Sequence, residues 1–353
     1  MSRTKKISIL FLFLIFLLQS VIAAEPDRIL SNSEDWRDVY SVILYGNLVG
    51  KQASFLVSDR HATLILNQIP KYSHIWAISS KKVPYVVGYK NLLESKGYTA
   101  EEFAYDNANL ELAKKLGEIT NFIIIDDSYG YNAISVAPYT VTAKYYVLFA
   151  DKDNIKDVDK FLSGRKVNKI LLYGNLDREV KNTLSKYNPE IINKEGDRFL
   201  NNIEIVKKYQ EIKHSKQAVL TNGEFIEHEI MSGAEPVIFI GTNNVPDAVR
   251  DYIKSSDIEV GVLIGNELVG TATFIRRQIG ISVFVKFAQG ARAPQGAISQ
   301  VEALDMFYLP TSNLNLEVES IKYNKATNKL EVTVKNTEAQ AVYFIGTYSL
   351  TAS

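Results

Sequence analysis

Residues 169–176 read Lys-Ile-Leu-Leu-Tyr-Gly-Asn-Leu, a short apolar run that stops at a glycine and an amide. Close variants are Val-Ile-Leu-Tyr-Gly-Asn-Leu-Val-Gly at residues 42–50 and Val-Gly-Val-Leu-Ile-Gly-Asn-Glu-Leu-Val-Gly at residues 260–270. A continuous run of Val, Ile and Leu places apolar side chains on both faces of a strand, which is typical of a parallel strand with helices on each side. The three runs therefore predict one α/β unit that the chain uses about three times.

The segments between these runs predict a series of βαβ units. Strand-like runs alternate with helix-like runs from about residue 40 to residue 270. The predicted strands are 41–45, 121–127, 145–150, 169–174, 236–241 and 258–265, and the predicted helices are 101–116, 132–143, 155–163, 177–187 and 246–255. This alternation indicates the α/β class with parallel sheets and right-handed crossovers.

The first 24 residues resemble a secretory signal. A basic start is followed by an apolar run of about 12 residues and then by small residues, which predicts cleavage after Ala23 or Ala24. The alternative is an uncleaved anchor, although the run is shorter than the roughly 20 residues that span a bilayer. Residues 25–40 are polar and are interpreted as a link to the first repeat. We therefore expect an exported protein of the cell surface or envelope.

Composition excludes several classes of function. The chain of 353 residues has 40 basic and 40 acidic residues, and loss of residues 1–24 leaves 37 basic residues against 40 acidic ones. This balance provides no basic field for nucleic acid. Cysteine is absent, which excludes disulfides, thiolate metal sites and cysteine nucleophiles.

The hydrophobic pattern changes after residue 270. Residues 271–287 alternate, and period-two patterns return at 314–318, 329–335 and 341–350. These patterns predict a small antiparallel β tail of immunoglobulin-like character. A complete sandwich needs roughly 100 residues. The strands from residue 271 onward therefore join the tail, or the tail is a small exposed sheet, or a neighbour completes it.

The middle of the chain resembles the cell-wall-binding repeat type 2 family. Residues 196–199 read Gly-Asp-Arg-Phe and precede a helix at 201–209, like the start of the family's repeat. Residues 145–153, 169–174 and 177–187 resemble its strand with a polar turn, its glycine-ended strand and its closing helix. The resemblance implies tandem Rossmann-like units that attach surface proteins to anionic envelope polymers.

The resemblance and the patterns together divide the chain. Three α/β repeats are expected, followed by a β-rich connector and the tail. Their predicted bounds are 25–120, 121–200 and 201–270 for the repeats, 271–312 for the connector and 313–353 for the tail. Residues 284–290, read with this tail, also resemble archaeal S-layer and surface proteins.

The resemblance also singles out residues for polymer binding. The candidate polymer-binding residues are Arg198, Asp197, Arg60 and Lys51. Arg198, with Arg60 and Lys51, would contact the anionic polymer, because arginine suits bidentate recognition of anions. Asp197 has two further interpretations, an ion pair with Arg198 or the N-cap of the following helix. The predicted partners are an envelope polymer or other surface-layer subunits, with self-association through the β tail.

Two acids end a predicted strand. Asp126 and Asp127 follow residues 121–125, and open α/β sheets place their ligand sites at such carboxyl ends. Adjacent residues of a strand point in opposite directions, so at most one of the two acids would enter a given crevice. The simpler interpretation is a solvated strand end. The alternative is an acid or base in a secreted enzyme.

Metal and nucleotide sites are poorly supported. Asp151, Asp153 and Asp157 have the spacing of a calcium loop, but the required glycine and closing glutamate are missing. Residues 46–51 read Gly-Asn-Leu-Val-Gly-Lys, which is one residue short of a phosphate-binding loop, and Gln52 replaces its Ser or Thr. The four histidines lack ligand spacing. We therefore expect no cofactor, no metal, no nucleotide and no enzymatic activity. The leading hypothesis is a structural surface protein, and the second hypothesis is a polymer-binding module.

Overall fold

The computed structural model describes residues 25–265, 268–286, 306–310 and 316–336. The predicted signal at residues 1–24 and the predicted strand at 341–350 lie outside these residues. The α/β class is confirmed: the chain forms three parallel sheets, and two small antiparallel sheets lie near the C-terminus.

The first unit is a four-stranded parallel sheet in the order β2-β1-β3-β4. Its strands are β1 (Arg28–Asn32), β2 (Gln52–Phe55), β3 (His74–Ser80) and β4 (Thr99–Tyr105). Its helices are α1 (Trp36–Val49), α2 (His61–Leu64), which continues as a 3-10 turn at Ile65–Gln68, and α3 (Tyr89–Ser95).

The second unit repeats this plan after the helix α4 (Ala108–Lys115). Its sheet has the order β6-β5-β7-β8, with all neighbours parallel. The strands are β5 (Asn121–Ile125), β6 (Tyr145–Phe149), β7 (Lys169–Tyr173) and β8 (Glu190–Ile192). The helices are α5 (Tyr131–Ala143), α6 (Ile155–Ser163) and α7 (Arg178–Leu184), with a 3-10 turn at Ser185–Tyr187.

The third unit follows the helix α8 (Arg198–Ile212). Its strands are β9 (Gln217–Thr221), the short β10 (Phe225–Ile226), β11 (Val237–Phe239), β12 (Val260–Ile264) and β13 (Ser282–Lys286). The parallel sheet has the order β11-β9-β12-β13. The helices are α9 (His228–Met231), α10 (Asp247–Ser255) and α11 (Val269–Gln278). All three sheets therefore have the same strand order. In each sheet the strand order reverses between the strand that comes first in the chain and the strand that comes third, as in Rossmann-like units.

The helix after the first strand of each unit lies at the centre of the molecule. These helices are α1, α5 and α9, and their buried side chains share one apolar core that includes all three units. Their carboxyl ends meet: Asn47 of α1 donates to the carbonyl oxygen of Met231 over 2.6 Å. Gly233, just after α9, packs against Val141 in the last turn of α5. The carboxyl-terminal ends of the three helices therefore lie together.

Buried asparagines fasten neighbouring units. Asn109 of α4 donates to Ser41 Oγ and to the Val147 carbonyl oxygen, both over 2.9 Å, which joins the first unit to β6 of the second. Asn202 of α8 joins the second unit to the third in the same way. Its side-chain amide donates to Ser135 Oγ over 2.9 Å and to the Val237 carbonyl oxygen over 3.0 Å. Both asparagines are buried. The contacts between units thus repeat along with the units.

The described part of the C-terminal segment contains two antiparallel pairs. The strand β14 (Phe307–Tyr308) pairs with β10, and β15 (Leu316–Asn324) pairs with β16 (Lys329–Asn336) as a hairpin. An immunoglobulin-like fold for the tail and the predicted archaeal surface-layer relationship stay predictions.

Several elements predicted from sequence were wrong. Residues 41–45 were expected as a strand, but they lie inside α1, whose side chains are buried on nearly all sides. A polar link was expected at 25–40, where β1 is found. The predicted helix at 101–116 is a strand followed by the shorter helix α4. Residues 271–287 were expected to be antiparallel β, but they form most of α11 and the parallel strand β13.

Candidate functional site

Arg198 is the predicted polymer-binding residue with the most distinctive surroundings. It begins α8, and its guanidinium carbon lies 4.2 Å from the centre of the Tyr131 ring and 4.9 Å from that of Phe199. Tyr131 begins α5 and lies just beyond the carboxyl end of β5. The stacked arginine therefore lies beside the strand-end edge of the second unit, which is where α/β sheets bind ligands.

Asp197 has the N-cap role that was one of its two interpretations. Its Oδ1 accepts hydrogen bonds from the backbone N–H groups of Phe199 at 2.7 Å and Leu200 at 3.1 Å. Arg198 makes no ion pair with Asp197 or with any other residue in the described part of the chain. The donors of Arg198 are consequently available to an external acceptor, while its guanidinium is in cation–π contact with the Tyr131 ring.

Asp126 is held within its own unit. Its Oδ2 accepts from Asn132 Nδ2 at 2.8 Å, and its Oδ1 accepts from the Ser128 N–H at 3.1 Å. Burial raises the pKa of Asp126, and these two hydrogen bonds act in the opposite direction. Gly174 has a left-handed backbone conformation, with φ at 81°, and lies against the Asn132 side-chain amide. A methyl group on Gly174 would lie 2.9 Å from Asn132 Cγ. The Asp126 carboxylate is therefore hydrogen-bonded by neighbouring groups of its own unit.

Asp127 points to a different unit. Its Oδ2 accepts from Arg37 Nη1 at 2.5 Å, and Arg37 also pairs with Asp35, the N-cap of α1, through Nη2 at 2.6 Å. The Asp35 hydrogen bond is the largest of the effects that raise the pKa of Arg37. The two adjacent acids thus diverge, and Asp127 contributes to an ion-pair network between the first and second units.

The structure does not bring Arg60 and Lys51 together with Arg198. Arg60 is exposed in the first unit, beyond the carboxyl end of β2. Lys51 precedes β2 at the opposite edge of that sheet, where its Nζ pairs with Glu25 at 3.0 Å. The three basic residues therefore do not form one binding surface through any described contact.

The calcium candidates have local structural roles. Asp151 Oδ1 accepts from the backbone N–H groups of Asp153 and Asn154, at 2.8 and 2.7 Å, and so shapes the turn before α6. Asp153 pairs with Lys152, and Asp157 lies in the first turn of α6. Within residues 25–265, 268–286, 306–310 and 316–336, no group of three or more acidic or histidine side chains is placed to hold a metal ion.

Sequence reasoning missed the aromatic part of this site. Tyr131 carries Arg198, and the Tyr129 ring lies 6.4 Å from that of Tyr131 at an angle of 45°. The order Asp-Asp-Ser-Tyr-Gly-Tyr after β5 was a usable signal, because it places two aromatic rings at the carboxyl end of a central strand. We refer to Arg198, Tyr131 and Tyr129 as the strand-end cluster.

No protein-family model and no curated protein matches the chain. Among solved structures, the chain is similar to Cwp8 from Clostridium difficile, with a TM-score of 0.56 and 16% identity over 73% of this chain and 48% of that one. It is also similar to Cwp6 from Clostridium difficile, with a TM-score of 0.51 and 12% identity over 79% of this chain and 44% of that one.

The chain thus spans about half the length of these two cell wall proteins. None of the helices in the described ranges is long and apolar enough to cross a membrane. Over the matched part of the chain, the fold is similar to that of these two clostridial cell wall proteins.

Proposed function

We propose that the protein is an exported structural component of the cell surface that attaches to an anionic polymer of the envelope. The observation that carries this proposal is the fold in common with Cwp8 and Cwp6, which are cell wall proteins. The proposed location is the cell surface, which agrees with the signal-like residues 1–24.

The strand-end cluster is the proposed contact with the polymer. Arg198 has no carboxylate partner in the described part of the chain, and its guanidinium carbon lies 4.2 Å from the centre of the Tyr131 ring. A guanidinium group is planar and offers two parallel N–H donors to a phosphate or carboxylate group. The neighbouring tyrosine rings add apolar faces on which a sugar ring can pack.

Binding to isolated envelope polysaccharide tests this assignment. We expect the protein to bind at low salt and to be released as salt rises, because screening weakens contacts with anionic groups. Arg198→Ala should weaken binding by roughly three- to tenfold, the loss of one charge-assisted contact. Arg178→Ala is a matched control, since Arg178 also begins a helix of the second unit but is exposed.

The outcomes separate the site from the function. If Arg198→Ala binds as tightly as the control variant, the strand-end cluster is not the contact, although a polymer-binding function would survive. If the native protein fails to bind at low salt, polymer attachment itself is contradicted. A surface protein that assembles through contacts between its own copies is then the remaining proposal, and imaging of purified envelopes for a regular array tests it.

We also propose that the protein is not an enzyme. The two acids at the end of β5 were the main alternative, and both are engaged: Asp126 by Asn132 and Ser128, and Asp127 by Arg37. Screening the purified protein against envelope polysaccharide and peptidoglycan tests the proposal. Hydrolysis that Asp126→Asn or Asp127→Asn abolishes without loss of the fold would contradict it.

A further inference from the structure

The junction between the third and first units differs from the other two. At the other two junctions, α4 packs on α1 and α8 packs on α5, and each carries a buried asparagine. In the described part of the chain, no helix precedes β1. The junction between the third and first units therefore has no described helix equivalent to α4 or α8. Here the Phe55 ring of β2 stacks on His228 of α9, with centres 5.8 Å apart.

Residues 306–310, which follow the third unit in sequence, occupy this junction. The strand β14 pairs antiparallel with β10, and the Leu309 N–H donates to the Glu224 carbonyl oxygen at 2.9 Å. Met306, Phe307 and Leu309 are buried, whereas Tyr308 between them is 46% exposed. From Phe307 to Leu309 the segment therefore docks as an extended strand, with Phe307 and Leu309 inward and Tyr308 outward.

The segment contacts every unit. Phe307 packs edge-on against Phe55 of the first unit, with ring centres 5.9 Å apart. Leu309 lies on Gly130, at the start of α5 in the second unit, where an added methyl group would be 2.9 Å from Leu309 Cγ. The pairing with β10 supplies the contact with the third unit. Five residues connect Pro310 to the hairpin that begins at Leu316.

We propose that residues 306–310 are a latch that closes the junction between the third and first units. When the latch is docked, it holds the three units in a closed ring and fixes the attachment point of the β15–β16 hairpin on the body. When it is released, this junction opens while the individual sheets stay folded. Because the hairpin follows the latch so closely, tension on the hairpin reaches the latch before it reaches any sheet.

Hydrogen exchange of the full chain tests the latch. Leu309→Ala removes the side chain that rests on Gly130, and Gly130→Ala pushes against it. Each variant should speed exchange of amides in residues 225–231 by about tenfold or more, while those of β5 keep their native rates. The double variant should show less than the product of the two effects, because the truncated side chain at position 309 lacks the atoms that the new methyl group meets. Val318→Ala, an exposed apolar truncation in the hairpin, is the control.

A disulfide provides an independent test that does not depend on destabilisation. The chain has no cysteine, so Gly130→Cys with Leu309→Cys creates a single possible bond. The Cβ positions are 3.1 Å apart, which is shorter than the roughly 3.5–4.5 Å of native disulfides, so the segment must move outward by a few tenths of an ångström for the bond to form. We expect an intrachain bond that slows exchange at residues 225–231 and a return to native rates on reduction.

Three results would overturn the proposal. These are unchanged exchange in Leu309→Ala, an equal increase across all three sheets, and a bond that forms only between chains. The last result would show that the segment docks on a second copy instead of on its own body.

Discussion

Replacement of Asn202 by alanine should destabilise the protein far more than its small size suggests. The side chain is buried between the second and third units. Its Nδ2 donates to Ser135 Oγ at 2.9 Å and to the Val237 carbonyl oxygen at 3.0 Å, and its Oδ1 accepts from the Phe239 N–H at 2.8 Å. Alanine removes all three hydrogen bonds and cannot replace any of them.

The expected loss follows from the groups left behind. The Phe239 N–H and the Val237 carbonyl become buried groups without that partner, and each such group costs about 1–3 kcal/mol. Relaxation of the neighbouring side chains recovers part of this cost. We therefore expect the free energy of unfolding to fall by about 2–5 kcal/mol.

Urea unfolding followed by circular dichroism measures this loss. Asn182→Ala is the control, because Asn182 is exposed in α7 and its replacement should change the free energy by less than about 0.5 kcal/mol. Asn109→Ala should match Asn202→Ala, since Asn109 makes the equivalent bridge. A change in Asn202→Ala no larger than that of the control would refute the bridging role.

Three further predictions concern other buried contacts. Burial raises the pKa of Asp38 from 3.8 to about 6, so its stabilising contribution is present below pH 3.8 and lost as pH rises through 6. The free energy of unfolding of the native protein should therefore rise relative to that of Asp38→Asn by about 2 kcal/mol between pH 7 and pH 4 in urea titrations. Arg165→Met should cost about 2–3 kcal/mol in the same assay, because three carbonyl oxygens in and just after the last turn of α4 each lose a charged donor. Gly233→Ala should lower the thermal midpoint by several degrees, because the new methyl group meets Val141 Cβ at 2.8 Å and φ is 71°.

The buried strands were predictable because their sequences permit one simple interpretation. The runs at 121–125, 145–149 and 169–173 are short, apolar on both faces and followed by polar or glycine turns, and each is a strand in the structure. The helix at 155–163 was equally clear, since one apolar face is opposed by charged residues. Length and periodicity were sufficient for these elements.

Helix α1 was misassigned for a physical reason. It is buried by its own sheet and by α4 and α5, so it has no polar face, and a short apolar run of this kind cannot be distinguished from a strand by periodicity. Its ends did carry signals: Asp35 caps the first turn, and Gly50 ends the helix in the left-handed region. Those two residues, and not the glycine at position 46, define the element.

The candidate site was only partly accessible to sequence reasoning. Arg198 was identified through a motif, but its stacking on Tyr131 depends on a contact between residues 67 positions apart in the chain. The roles of Asn109 and Asn202 are equally non-local, because each asparagine joins a helix of one unit to a strand of the next. Such contacts can be identified only when the spatial order of the units is known.

Localisation of the mature protein tests the central claim most directly. Cells are fractionated, and mass spectrometry measures the amount of the chain and its first residue in the cytoplasm, the envelope and the medium. We expect most of the protein in the envelope fraction, with Ala24 or Glu25 as its first residue, and we expect high salt to release it. A predominantly cytoplasmic protein, or a free monomer in the medium that does not associate with envelopes at low salt, would contradict the claim.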